Sequence, residues 1–158
     1  MTEVPGSWFC RAVTDRPLIK LDATTRAAAA SGRLAHLVTL DPDGSPQVSC
    51  IYVGWDGDEL LAGHLQNHRK LRNVRRDHRV SISIESDVEF AGFSPYLVID
   101  GTASVEDGGA VEVLRRITTE QFGPDHAFPP PGDWPAGYVL RIRPERIYGI
   151  GPWGLDVS

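Results

Sequence analysis

Asn67-His68-Arg69-Lys70-Leu71-Arg72-Asn73-Val74-Arg75-Arg76-Asp77-His78-Arg79 is the stretch around which the chain is organised. Between 68 and 79 six residues are Arg or Lys, against the single acid Asp77, in a chain whose formal net charge is -5. Leu71 and Val74 stand three apart, which gives one apolar stripe and predicts a short helix. Asn67 is its expected N-cap. Arg69 and Lys70 then fall in the first turn, where the helix dipole is already positive and a cation costs roughly 0.3–1 kcal/mol. Free N–H groups together with added cations at such an end make an anion site, suited to phosphate or carboxylate. The plainer reading is a solvated basic face whose later arginines complement the negative end of the helix.

Outward from this helix the chain is a series of short apolar runs parted by tight turns. Upstream, Leu34 to Leu40, Gln47 to Trp55 and Glu59 to Leu65 are expected strands. They are joined by Asp41-Pro42-Asp43-Gly44-Ser45-Pro46 and by Asp56-Gly57-Asp58, where Pro and Gly supply turn dihedrals. Loops this short force antiparallel neighbours. Downstream, Val80-Ser81-Ile82-Ser83-Ile84 alternates with period two and predicts a half-buried strand. Tyr96 to Val105 is the next strand, with Gly101 as an expected bulge. Asp107 is the expected cap of a helix carrying Val111, Leu114, Ile117 and Phe122. A proline-stiffened loop over 123–137 leads to a last strand, Tyr138 to Ile150, expected to break near Pro144. Before all of these, an Ala-rich helix is expected within 18–31, capped by Asp22 or Thr24 and ended by Gly32. Mostly antiparallel strands with a few helices predict a mainly β, small closed or split barrel. The expected organisation is an irregular arm at 1–17, with Trp8 and Phe9 packing on the body, and one domain over 18–158.

Composition narrows the function classes. With 158 residues, 41% hydrophobic and 23% charged, the chain is ordinary for a soluble globular protein. No stretch approaches the ~18 apolar residues of a membrane span. Cys10 and Cys50 are the only cysteines and carry no metal spacing, which points to a reduced, cytoplasmic protein. The negative net charge argues against a nucleic-acid binder led by the 68–79 helix. His64 and His68 are four apart like a zinc-protease pair, but Leu65 stands where the needed Glu would be. No metal is expected, since three or four convergent ligands are required. His36 is expected to be partly buried and hydrogen-bonded, whereas His78 and His126 show no visible partner.

Pro46-Gln47-Val48-Ser49, the hairpin at 56–58 and the run Lys70 to Val80 together resemble a known family. The chain is similar to the pyridoxamine-phosphate-oxidase-like split-barrel flavoproteins, and within these to the flavin/deazaflavin oxidoreductases that use coenzyme F420. The likeness covers roughly residues 18–150. It implies a six-stranded antiparallel split β-barrel of the FMN-binding type, assembled as a homodimer with two sites at the subunit interface. It implies that Gln47, Val48, Ser49, Cys50 and Ile51 run along the tricyclic ring, that Gly63 and His64 flank the ribityl chain, and that His68, Arg69 and Lys70 take the phosphate. Trp153 and Gly154 would come to the ring from the partner subunit. Relatives that use flavin mononucleotide often show Ser-Arg-Lys at the phosphate position with Gln three residues after the Lys. This chain has His68-Arg69-Lys70 and Asn73, which favours F420 over FMN. Relatives also usually have Pro after the acid that ends the helix; here Asp77 is followed by His78.

The implied reaction is hydride transfer from reduced F420 to a small unsaturated substrate, quinone- or enone-like. Tyr52, His64 or solvent are the candidate proton sources, and the catalytic residue stays unassigned. Arg72, Arg75 and Arg76 are read as a solvated face, with contact to the acidic tail of F420 as the alternative. The rival readings are an FMN-binding oxidoreductase of the same fold, and a non-catalytic binder of flavin, deazaflavin or tetrapyrrole. The small-molecule substrate itself is set by loops 85–95 and 123–137.

Overall fold

The computed structural model describes residues 21–155; the expected arm at 1–17 lies outside them, as do Cys10 and the last three residues. In chain order the elements are α1 (Ala23–Ala29), β1 (Ala35–Leu40), β2 (Pro46–Ile51), β3 (Gly54–Asp56), β4 (Glu59–His64), α2 (Arg69–Arg76), β5 (Arg79–Glu85), β6 (Tyr96–Asp107), α3 (Ala110–Phe122), β7 (Tyr138–Gly151) and β8 (Gly154–Leu155). A short 3-10 turn, Pro124–His126, follows α3.

Period-two alternation produces the strands. Ala35, Leu37 and Thr39 of β1 face inward, as do Val80, Ile82 and Ile84 of β5 and Leu97, Ile99 and Ala103 of β6. Together with Ile51, Leu60, Ala62, Leu140 and Ile142 they form one core. Burying a side chain of this size contributes about 1.5–3 kcal/mol. All strand pairs are antiparallel, in the order β2-β1-β5-β6-β7-β4-β3, and β8 folds back on β7.

The two ends of that order, β2 and β3, are consecutive in the chain, with only Tyr52 and Val53 between them. The sheet must therefore curl on itself, which makes the split barrel. The segment 47–55, expected as one strand, is thus divided, because its first half pairs with β1 and its second with β4. Closure is incomplete. Among the described residues the outer edge of β2 has no strand partner, and Ala62, Gly63 and His64 of β4 pair with β7 alone. A slit is left between these two edges.

Two helices plug the ends of the barrel. Ala28 and Ala29 of α1 pack into the core at the end where β1 begins, and Trp55 Nε1 donates to the Arg26 carbonyl at 3.0 Å. Asp22 caps this helix through the Thr25 N–H. Leu71 and Val74 of α2, both fully buried, close the other end, beside β1 and β6. The third helix lies outside, on β4, where Gly63 makes its approach possible. A Cβ at Gly63 would stand 2.7 Å from both the Ala110 carbonyl oxygen and Leu114 Cγ.

Three local expectations need correction. Asp107 does not cap α3; Gly109, at φ 77°, holds the N-cap position, and Asp107 ends β6 and pairs with Arg75. β7 does not break near Pro144. It runs through 14 residues with a bulge, since Asp100 faces Arg146 while Gly101 faces Pro144. Bulging absorbs the proline without ending the pairing. His36 is exposed rather than partly buried, because alternation turns it outward. Among the described residues no helix is long and apolar enough to cross a membrane.

Gly63→Ala should destabilise the protein by about 1–3 kcal/mol through overpacking against α3. Urea denaturation would read this as a lower midpoint with an unchanged slope.

Candidate functional site

The N-terminal turn of α2 sits at the mouth of the barrel end it plugs. His68, not Asn67, is the N-cap, and its side chain makes no capping bond. Asn67 instead receives two arginines that fold back from the helix: Arg72 donates to its carbonyl at 2.6 Å and Arg75 to its Oδ1 at 3.2 Å. A side chain used this way is lost to the cap. The first turn holds no acid. The backbone N–H groups of Arg69 and Lys70 have no acceptor among the described residues, as at any helix start.

A buried polar network holds this turn in place. Asp41, 8% exposed, ends the β1 side of the 41–45 turn and accepts from Arg69 Nε at 2.8 Å and from Asn73 Nδ2 at 2.9 Å. Asn73, 2% exposed, also donates to Thr39 Oγ1 at 3.0 Å and accepts from Arg76 at 3.1 Å. Thr39 in turn donates to Gln47 Oε1 at 3.0 Å, and Gln47 Nε2 donates to the Val48 carbonyl. β1, β2 and α2 are thereby locked in one register.

These bonds sort the cations. Arg69 is forked onto Asp41 and Arg79 onto Asp77, while Arg75 donates one bond to Asp107 and Arg76 one to the Leu40 carbonyl. The arginines read as a solvated face are therefore anchored to backbone and acids. Lys70 has no salt-bridge or hydrogen-bond partner among the described residues. It is half-buried, and desolvation pushes its ammonium below the usual lysine range.

Beside it lies an unsatisfied imidazole. His64 ends β4, shares the inward face with Leu60 and Ala62, and is 7% exposed. Its Nε2 is buried with no hydrogen-bond partner. The ring stands edge-to-face to that of His68, centroids 5.9 Å apart. Burial first, then Lys70 and His68, push the His64 pKa down to about 3. Desolvation, then Lys70 and Arg72, lower that of His68. Lys70 also lies within electrostatic reach of Cys50 on β2. On β2, Ser49 Oγ is a second buried polar atom without a partner.

The structure thus brings together His64, His68 and Lys70, with Cys50 of β2 within electrostatic reach of Lys70. Gln47 and Ser49 are partly buried on the inward side, Val48 and Cys50 are exposed on the outward side, and Ile51 belongs to the core. Gly63 faces α3, not the slit. Arg69 and Asn73 direct their bonds inward, onto Asp41. Trp153 and Gly154 lie at the opposite end of the barrel, where Trp153 Nε1 donates to the Tyr96 carbonyl at 3.0 Å. They can reach this site only from a second copy of the chain. The loop expected to shape a substrate pocket, 85–95, walls a cavity of about 630 Å³ with Tyr96 and Arg33 at that same far end. His78, read as partnerless, has Nδ1 3.2 Å from the Ala103 carbonyl. No cluster of three or more metal-ligating side chains occurs among the described residues.

Sequence reasoning missed Asp41 and Thr39. Asp41 carried only a turn signal, and nothing in the order of residues pairs it with Arg69.

Residues 21–151 match the family model for pyridoxamine 5'-phosphate oxidase. The chain belongs to that family. Members of the pyridoxamine 5'-phosphate oxidase family bind flavin-type cofactors. Among solved structures the chain is similar to an F420 reductase, at 22% identity and a TM-score of 0.61 over 77% of this chain and 94% of that one. A putative pyridoxamine 5'-phosphate oxidase from Listeria innocua aligns at 24% identity and 0.60, over 83% and 98%. A heme binding protein from Mycobacterium smegmatis aligns at 22% and 0.60, over 87% of this chain and 57% of that one. At these identities the likeness is one of fold.

An anionic, hydrogen-bonding cofactor fits the residues present. An unpaired half-buried ammonium and two free helix N–H groups stand beside the buried, unpartnered Nε2 of His64, and each is costly to leave unsatisfied.

Two outcomes follow. Asp41→Ala should cost about 1.5–3 kcal/mol in urea denaturation, the scale of hydrogen bonds to a charged group. The second concerns pH. The folded pKa of His64, about 3, lies below its ordinary 6.5, so only the unfolded chain gains a proton between the two. Stability from this group is complete above pH 6.5 and is lost as pH falls toward 3. Thermal unfolding of His64→Gln should depend less steeply on pH in that window than the parent; equal slopes would contradict the assignment.

Proposed function

We propose that the protein is an oxidoreductase that binds coenzyme F420 and passes a hydride from its reduced form to a small unsaturated substrate of quinone or enone type. The observation that carries this reading is Lys70, a half-buried cation with no partner, set beside the orphaned Nε2 of His64 at an open helix N-terminus. The family match and the likeness of fold to an F420 reductase support it.

When bound, the coenzyme supplies the hydride chemistry. The chain's own residues do the rest. Lys70, His68 and the N–H groups of Arg69 and Lys70 hold the phosphate, which is the group a helix start with an added ammonium suits. The arginines tied to Asp41 and Asp107 keep the mouth rigid, so little ordering cost falls on binding. The unpaired edge of β2 offers backbone N–H and carbonyl groups to the polar rim of a ring lying along it. Ser49 Oγ, buried on β2 and without a partner, is a further donor on this strand.

The functional unit is a homodimer on this reading. Leu34, Val48 and Tyr52 leave large apolar surface exposed on the β1–β2 side, at 44%, 58% and 38%. Trp153 and Gly154 of one copy would complete the site of the other. The exposed cavity beside Tyr96 would then face the ring across the interface and admit the substrate.

FMN is the alternative cofactor, since both coenzymes present a phosphate on a ribityl chain to the same mouth. Fluorescence titration of the purified protein with each one separates them, with tighter binding of F420 expected. Oxidation of the reduced coenzyme by a panel of quinones and enones then tests for turnover; tight binding with no turnover across the panel would favour a storage or sensing protein. Lys70→Ala should weaken coenzyme binding by about 1–3 kcal/mol, roughly fivefold to 150-fold. Unchanged affinity in that variant would remove Lys70 from the phosphate site.

A further inference from the structure

His64 and His68 stand with their rings 5.9 Å apart, and the charges that act on them are positive. From α2 come Lys70 and Arg72, both of which act against protonation of the pair. From β7 comes Tyr138, opposite His64 in register, with the Arg75 guanidinium 5.2 Å above its ring and Asp107 already paired with that arginine. From β2 comes Cys50, which acts on Lys70. From the 41–45 turn comes Asp41, whose charge Arg69 takes up. No carboxylate acts on either imidazole among the described residues.

A proton placed on this pair without a counter-charge would add a third cation to Lys70 and Arg72 in a half-dry setting. An anion seated at the helix mouth reverses that balance. It accepts a charge-assisted N–H bond from a protonated imidazole, and such bonds are roughly twice as strong as neutral ones. The buried Nε2 of His64 then gains the partner it lacks.

We infer that this mouth takes its anion together with a proton, held by the His64–His68 pair, so that ligand affinity at the site rises as pH falls. The inference rests on the anion-site reading given above and adds its regulation. His68, the more exposed of the two, is the entry point for the proton, and His64 is the backing group that keeps it there.

Inorganic sulfate is the probe of choice, because it stays doubly charged across the range while a phosphate monoester titrates near pH 6. Isothermal titration of the whole protein with sulfate, at constant ionic strength, should show affinity weakening about tenfold from about pH 5.5 to 7.5. Repeating it in buffers of different ionisation enthalpy should show about half a proton taken up per sulfate near pH 6.5. In His68→Gln, a surface change that keeps the fold, the pH dependence should shrink to about twofold or less. Proton NMR of the imidazole signals should show both histidine pKa values rising when sulfate is added. Sulfate binding with the same affinity at every pH would overturn the proton linkage and leave the anion site standing. A pH dependence unchanged in both His68→Gln and His64→Gln would overturn the assignment to this pair. No sulfate binding at any pH would remove the anion site and the inference with it.

Discussion

One carboxylate, Asp41, fixes the geometry on which the rest depends. It is nearly buried, it stands where β1 turns toward β2, and it accepts from both Arg69 and Asn73 of α2. A buried acid in this position requires partners, because an uncompensated charge there would cost several kcal/mol. The helix supplies them and is thereby pinned across the barrel end with its N-terminus turned to the slit. Thr39 and Gln47 extend the same network to β2. The relative placement of α2 and β2 is thus set by hydrogen bonds as well as by the burial of Leu71 and Val74.

That arrangement divides a run of six cations into two kinds. Arginine, with its planar fork, suits fixed pairing to carboxylates and carbonyls, and Arg69, Arg75, Arg76 and Arg79 are used that way. Lysine, a compact and movable charge, is left without a partner at the first turn. Its desolvation, the low pKa of His64 and the orphaned Nε2 describe a site with charge and hydrogen-bonding capacity left to offer an anion. The slit is also where the barrel leaves backbone unpaired, on β2 and on the end of β4. Unsatisfied charge and unsatisfied backbone meet at one place.

Much of the fold was legible in the residues. Val80 to Ile84 alternates so cleanly that β5 follows from period two alone, and Gly101 marks the bulge where it occurs. Tight turns at 41–46 and 56–58 dictated antiparallel pairing. What local pattern could not show was the division of 47–55 into β2 and β3, since both halves have strand character and only barrel closure separates them. Asp22 caps α1 as expected, but two other caps were missed for a related reason. Asn67 and Asp107 are good capping residues, but Arg75 claims both side chains, and His68 and Gly109 take the positions instead. At the site, the basic helix stood out by charge, while its sorting into paired arginines and a free lysine depended on Asp41, Asp107 and Asp77. The role of Gly63 was likewise invisible in sequence order, because α3 arrives on β4 from nearly fifty residues downstream.

A crystal structure of the protein grown with the deazaflavin coenzyme tests the central claim most directly. The phosphate should lie within hydrogen-bonding distance of Lys70 Nζ and the first-turn N–H groups of α2, with His64 and His68 beside it and Trp153 of a second copy near the ring. A coenzyme bound elsewhere, with Lys70 and His64 left unpartnered, would contradict it.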